Sequence, residues 1–235
     1  MRQVGLLTLL IVTFVCRGQD GVMIKTQAHS IEEFVPKNWK IIRTAQGDLN
    51  KDNIEDAALV IQEMNAKNIN IGSGYGVDSL DSNPRILIVL LKDTATGKFK
   101  LKGISKTFIL SHQSRTMEDP FDGIKISKGI LEIGFHFWYS AGSWYMTTLE
   151  YKFRFRKNEF ILIGAEFDQT DRGTMERTQR SFNFLTKKMN ETISNEAVAD
   201  QETLTEWKKL DFKELKTLKT LTEPLQWTIL PDVDI

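Results

Sequence analysis

The segment Arg85 to Lys92, RILIVLLK, puts six apolar residues in a row between two charged ones. A run this short is a strand rather than a spanning helix, and because it lacks alternation both of its faces must be covered. A chain that contains it must therefore supply at least two apolar layers around one central strand. With 235 residues, 41% of them hydrophobic, the chain is long enough to do so.

The rest of the middle of the chain reads as strands and tight turns. In Leu149 to Arg156 the apolar Leu149, Tyr151, Phe153 and Phe155 alternate with Glu150, Lys152, Arg154 and Arg156, which gives one buried and one wet face. Lys157-Asn158 turns the chain into Glu159 to Phe167, EFILIGAEF. Trp39 to Thr44, Asp56 to Gln62, Lys98 to Ile104, Ile130 to Trp138, Thr178 to Leu185 and Lys188 to Ile193 read as further strands. Ala66 to Asn83 reads as a long polar loop. The expected fold is mostly β, with antiparallel sheets of meander or sandwich type. In Asp200 to Leu221 the apolar spacing is mostly three, so a short helical or irregular C-terminal extension is expected over 196–235, packing on a β-rich domain of residues 19–195.

The first residues read as an address. Arg2 precedes an uncharged, mostly apolar run from Val4 to Val15, and Cys16-Arg17-Gly18 offers a cleavage site before Gln19. Twelve helical residues rise only about 18 Å, short of the roughly 30 Å of a bilayer core, so a signal peptide over 1–18 is expected and no transmembrane segment after its removal. Export then means a secreted or periplasmic location, with association to the cell envelope as the alternative. Acylation of Cys16 is the alternative, although Val15 before it is a poor lipobox residue. Cleavage deletes the single cysteine and two of the 31 positive charges, which leaves a net of −2 and no disulfide. The near-neutral balance argues against nucleic acid as a partner.

Gly47 to Asp56, GDLNKDNIED, is the segment with metal-ligand spacing. With Asp48 as position 1, side-chain oxygens fall at 1, 3, 5 and 9 on Asp48, Asn50, Asp52 and Asp56, and the Ile54 carbonyl takes position 7. Calcium takes about six to eight oxygens, and a tightly curled loop aims alternate ones inward. Position 6 needs left-handed backbone, which Asn53 tolerates. The segment resembles the DxDxDGxxD loops of FG-GAP/integrin-like repeats, and more loosely dockerin loops, with Asn50 in place of Asp and Asn53 in place of Gly. That resemblance implies a local calcium site at 48–56 and not a whole fold; Leu59 at position 12 excludes a full EF-hand. An Asx-rich turn joining two strands is the simpler alternative.

Over residues 31–190 the order VPKNWKII, GDLNKDNIEDAALVIQ, NPRILIVLL, DPFDGIKISKGILEI, SAGSWYMTTLEYKFRFRKNEFILIG and FNFLTKK resembles a family of uncharacterised exported bacterial proteins. The resemblance implies export and the calcium loop and carries no activity.

Phe135 to Tyr145, FHFWYSAGSWY, concentrates six aromatics around a small-residue turn. Such rings fill β cores; alternatively Trp138, Tyr139, Trp144 and Tyr145 form a face that stacks on a glycan. The three histidines lack ligand spacing, and no nucleophile elbow or phosphate loop is present. Two functions are therefore expected in order: a non-catalytic, calcium-stabilised protein that binds a macromolecule or glycan, and a secreted glycoside hydrolase whose acids could include Glu166, Asp168 and Asp171.

Overall fold

The computed structural model describes residues 22–72, 75–195, 197–198 and 203–235. The expected signal peptide and Cys16 lie outside them. In chain order the strands are β1 (Gln27–Ala28), β2 (Trp39–Gly47), β3 (Asp56–Glu63), β4 (Ile69–Ile71), β5 (Ser79–Asp81), β6 (Arg85–Lys92), β7 (Phe99–Ser105) and β8 (Phe121–Ser127). They continue as β9 (Ile130–Phe137), β10 (Tyr145–Arg156), β11 (Glu159–Asp171), β12 (Glu176–Asn183), β13 (Lys188–Asn195), β14 (Leu204–Lys209), β15 (Thr228–Leu230) and β16 (Val233–Asp234).

Two antiparallel sheets carry the fold. The first has the order β1-β7-β6-β3-β2; the second is a meander in the order β14-β13-β12-β11-β10-β9-β8. The chain is thus mostly antiparallel β, as its patterning predicts. The turns explain why successive strands become neighbours. Lys157 and Asn158 both take left-handed backbone, at φ 51° and 64°, the two-residue geometry that matches strand twist. The same holds for Lys128 and Gly129, at φ 53° and 75°.

The central strands β3 and β6 are covered on both sides. Their Ala58, Val60, Leu87, Val89 and Leu91 face the second sheet, against Leu131, Ile133, Phe135, Leu149, Tyr151 and Phe153. Their Ala57, Leu59, Ile61, Ile86, Ile88 and Leu90 face a second core, closed by Ala28, Phe34 and Phe99. Partly buried Val22, Ile24, Ile31 and Val35 complete that cover, so the N-terminal described segment is a lid on the first sheet. Between the sheets the Phe108 ring meets Phe135, Tyr151 and Phe153 edge-on, with centroids 5.7, 5.0 and 5.7 Å away. The sheets also meet at a corner: a Cβ on Gly47 would come 2.7 Å from Ile126 Cγ2, so only glycine lets β2 pass this close to β8.

The C-terminal region corrects the helical expectation. Leu204–Lys209 is a strand paired to β13, with Asn190 opposite Trp207 and Lys188 opposite Lys209. The remainder is irregular apart from the small β15–β16 hairpin. Apolar residues three apart, Leu204 and Trp207, are both exposed, so the spacing never marked a buried helical stripe. Leu210, Leu218, Leu221, Ile229, Val233 and Ile235 enter the core between the sheets. Their carrier is fixed by Tyr151, whose buried hydroxyl accepts from the Leu225 N–H at 3.0 Å. Ala66 to Asn83, read as a loop, contains the short β4–β5 ribbon. Among the described residues no helix is long and apolar enough to cross a membrane.

Tyr151→Phe removes the acceptor for Leu225 and leaves an amide short of a partner. A loss of about 1–3 kcal/mol is expected in urea denaturation. Faster amide hydrogen exchange confined to the C-terminal segment locates the effect.

Candidate functional site

The β2–β3 loop satisfies its own polar groups. Asp48 Oδ1 accepts from the N–H groups of Lys51 and Asp52 at 2.5 and 3.2 Å, and Oδ2 accepts from Asn53 at 2.8 Å. Asn50 accepts from the Asp52 N–H at 3.0 Å and donates to the Asp52 carboxylate at 2.9 Å. The other Asp52 oxygen accepts from Ile54 N–H at 2.9 Å. Asn53 has φ 65°, the left-handed backbone expected at position 6, and Lys51 shares it at 67°.

Asp56 faces the other way. It is 0% exposed, and its two oxygens accept from the Leu49 and Lys92 N–H groups, both at 2.9 Å. Burial pushes its carboxyl above the ordinary range, against the pull of those two N–H groups. Asp56 thereby ties the loop to the start of β3 and the end of β6, while Leu49 plugs the core. The oxygens left near solvent are those of Asp48, Asn50 and Asp52. Among the described residues no group of three or more His, Cys, Asp or Glu side chains is arranged to hold a metal ion.

The aromatic segment divides. Phe135 and Phe137 point into the core, their rings stacked at 6.3 Å. Alternation then sends Trp138 and Tyr139 to different clefts. Trp138 lines a hollow of about 420 Å³ with Tyr75, Val77 and Met117. Tyr139 lines one of about 510 Å³ with Arg85, Ile109 and Phe137. Trp144 and Tyr145, 68% and 50% exposed, stand at the β9–β10 connection. The four sequence candidates therefore do not make one stacking plane.

Arg172, which sequence reasoning missed, holds that connection together. Its Nη2 donates to the Tyr139 and Ser143 carbonyls at 2.8 and 2.7 Å, and its Nε to Trp144 at 3.2 Å. Its guanidinium also lies 5.2 Å from the Trp138 ring centroid. One side chain beyond β11 thus fixes the backbone that presents Trp144 and Tyr145. No local motif announces it, because its three acceptors lie about thirty residues upstream.

The second cleft has a charged wall. Arg85, 4% exposed, forms a bidentate pair with Asp119 at 2.7 and 2.6 Å and reaches the Leu110 carbonyl at 2.8 Å. Burial works to raise the Asp119 carboxyl, and the Arg85 hydrogen bonds and charge outweigh it, so the net shift is downward. The acids considered for hydrolysis are engaged elsewhere. Glu166 pairs with Lys152 at 2.9 Å, and Asp168 is held below the usual carboxylate range by Arg177. Asp171 caps the N–H groups of Gly173 and Thr174 at 2.8 and 3.2 Å.

Comparison with protein-family profiles, with curated proteins and with solved structures finds no match.

Because its folded-state pKa is lowered, Asp119 stabilises the fold above the unfolded carboxylate value of about 3.9, and that contribution is lost as pH falls through the folded value. Asp119→Asn is expected to lower stability at neutral pH and to flatten the decline below about pH 4 in a series of urea melts. Asp56→Asn replaces one acceptor with a donor facing a backbone N–H, and a loss of about 1–3 kcal/mol is expected in the same assay.

Proposed function

We propose that the protein is a non-catalytic binding protein of the cell exterior, presenting Trp144 and Tyr145 to a macromolecular partner. The observation that carries this reading is the Arg172 clasp. A surface loop normally loses freedom when it binds, and a loop already fixed in place avoids part of that cost. Here the fixing is done by four contacts from one arginine to the backbone and ring beside two exposed aromatics. Aromatic anchors of this kind dominate binding energy at protein surfaces. The carboxylates nearest in sequence are occupied by ion pairs or turn capping, which favours binding over hydrolysis. The apolar run from Val4 to Val15 supports export.

Calcium at 48–56 belongs to the same proposal. Asp48, Asn50, Asp52 and the Ile54 carbonyl would hold it, with water completing the shell, and the ion would supply charge neutralisation to a loop rich in acids. Two near-solvent carboxylates suit the weak affinities of extracellular modules, about 10⁻⁴–10⁻³ M. Asp56 keeps its structural role throughout.

Two measurements test these readings. Arg172→Gln and the pair Trp144→Ala, Tyr145→Ala are expected to release an envelope-derived macromolecule retained by the immobilised wild type, with far-ultraviolet circular dichroism that still reports the folded sheets and no turnover of glycoside substrates. Retention by all variants, or turnover, counts against the reading. Calcium at tenfold excess over its dissociation constant is expected to stabilise the fold by roughly 1.4 kcal/mol. Asp48→Ala or a chelator should remove that gain, and identical melting curves with and without calcium overturn the calcium part alone.

A further inference from the structure

The outer face of the second sheet changes character along its width. Across β8 to β11 it is laced with ion pairs: Lys125 with Glu132 at 3.6 Å, Lys152 with Glu150 and Glu166 at 3.3 and 2.9 Å. Across β12, β13 and β14 the pattern differs. Cross-strand register puts Ser181, Asn190 and Trp207 in one row, and Asn183, Lys188 and Lys209 in the next.

Trp207 is 69% exposed and shares a hollow of about 580 Å³ with Ser181, Asn183, Lys188 and Asn190. The chemistry of the two rows is complementary. An indole offers an apolar, electron-rich face beside water. Among the described residues the Ser181 hydroxyl and the Asn190 amide have no hydrogen-bond partner, and both line the hollow. Lys188 and Lys209 lie opposite one another with no acidic partner among the described residues. Two adjacent uncompensated cations repel, and an anion between them removes that repulsion.

We propose that this face binds an acidic oligosaccharide. The Trp207 indole stacks on a sugar ring, Ser181 and Asn190 bond its hydroxyls, and Lys188 with Lys209 take a carboxylate or sulfate on a neighbouring unit. The occupant is fixed by charge complementarity: the ring platform alone would accept any sugar, and the lysine pair selects an anionic one. The site is separate from the Arg172 clasp and does not depend on it.

The test uses the full chain, with tetragalacturonate as the acidic probe and cellotetraose as its neutral counterpart. Titration followed by tryptophan fluorescence and calorimetry is expected to show binding of the acidic probe that weakens with added salt. Trp207→Ala is expected to weaken it about tenfold or more, and Trp207→Phe to retain most of it. Lys188→Gln with Lys209→Gln should weaken binding and flatten its salt dependence. Arg172→Gln should bind the probe as the wild type does, which separates this proposal from the one above. Equal affinity for both probes overturns it, as does full binding by Trp207→Ala. Adsorption to anionic vesicles without oligosaccharide binding, or a dimer that Trp207→Ala dissolves, assigns the face to another occupant and overturns it as well.

Discussion

Covering β3 and β6 on both faces is the requirement from which the rest of the architecture follows. Their side chains alternate between two cores, and neither strand has a wet side. Each fully buried Leu, Ile or Val contributes roughly 1.5–3 kcal/mol, so exposing either face would cost more than a domain's whole margin of stability. One face is met by the seven-stranded meander. The other has no third sheet available, and the chain solves this with residues 22–35 laid across it. Among the described residues few polar groups are admitted to this interior; Arg85 engages both terminal nitrogens but buries its Nε without a partner. Asp56 accepts two backbone N–H groups, and Glu191 is paired with both Arg180 and Lys208 at 2.5 and 2.6 Å. A buried pair adds little net stability, but removing one partner strands a charge, so these contacts set register more than they add strength.

The sequence was most legible where one side chain in two reports on its environment. Leu149 to Arg156 alternates in sequence, and Leu149, Tyr151 and Phe153 are buried. Arg85 to Lys92 does not alternate, and the strand is enclosed on both sides. In the C-terminal region the irregular alternative holds and the helical one fails, for a physical reason. Leu204 and Trp207 are strand residues on opposite faces of an edge, both in solvent, whereas Leu210, Leu218 and Leu221 are plugs on irregular chain. Counting apolar spacing treated residues with three different environments as one stripe. Period two was present in Thr205, Trp207 and Lys209 but lacked an apolar partner face to reveal it.

The loop at 48–56 divides between what is local and what is not. Its curl is local: Asp48 caps three following N–H groups, and Asn53 takes the left-handed conformation that its side chain tolerates. The orientation of Asp56 is decided by Lys92, thirty-six residues away, through a bond no spacing rule contains. A carboxylate already accepting two N–H groups in a dry setting gains less from turning outward than Asp48 or Asp52 would. The same oxygen pattern thus serves two ends, with the exposed members curling the loop and the buried one closing the first sheet.

Arg172 and Trp207 illustrate how a meander sets apart the surfaces at its ends from those on its faces. In a sheet built from consecutive hairpins, connections gather at the two ends while broad faces remain between them. At one end Arg172, beyond β11, reaches back to three carbonyls at the β9–β10 connection. On the outer face, Lys125 pairs with Glu132 and Lys152 with Glu150 and Glu166 across β8 to β11. Lys188 and Lys209 have no ion pair among the described residues and lie beside Trp207. The clasp at the end and the two lysines on the face involve different residues, so each surface can be altered without disturbing the other.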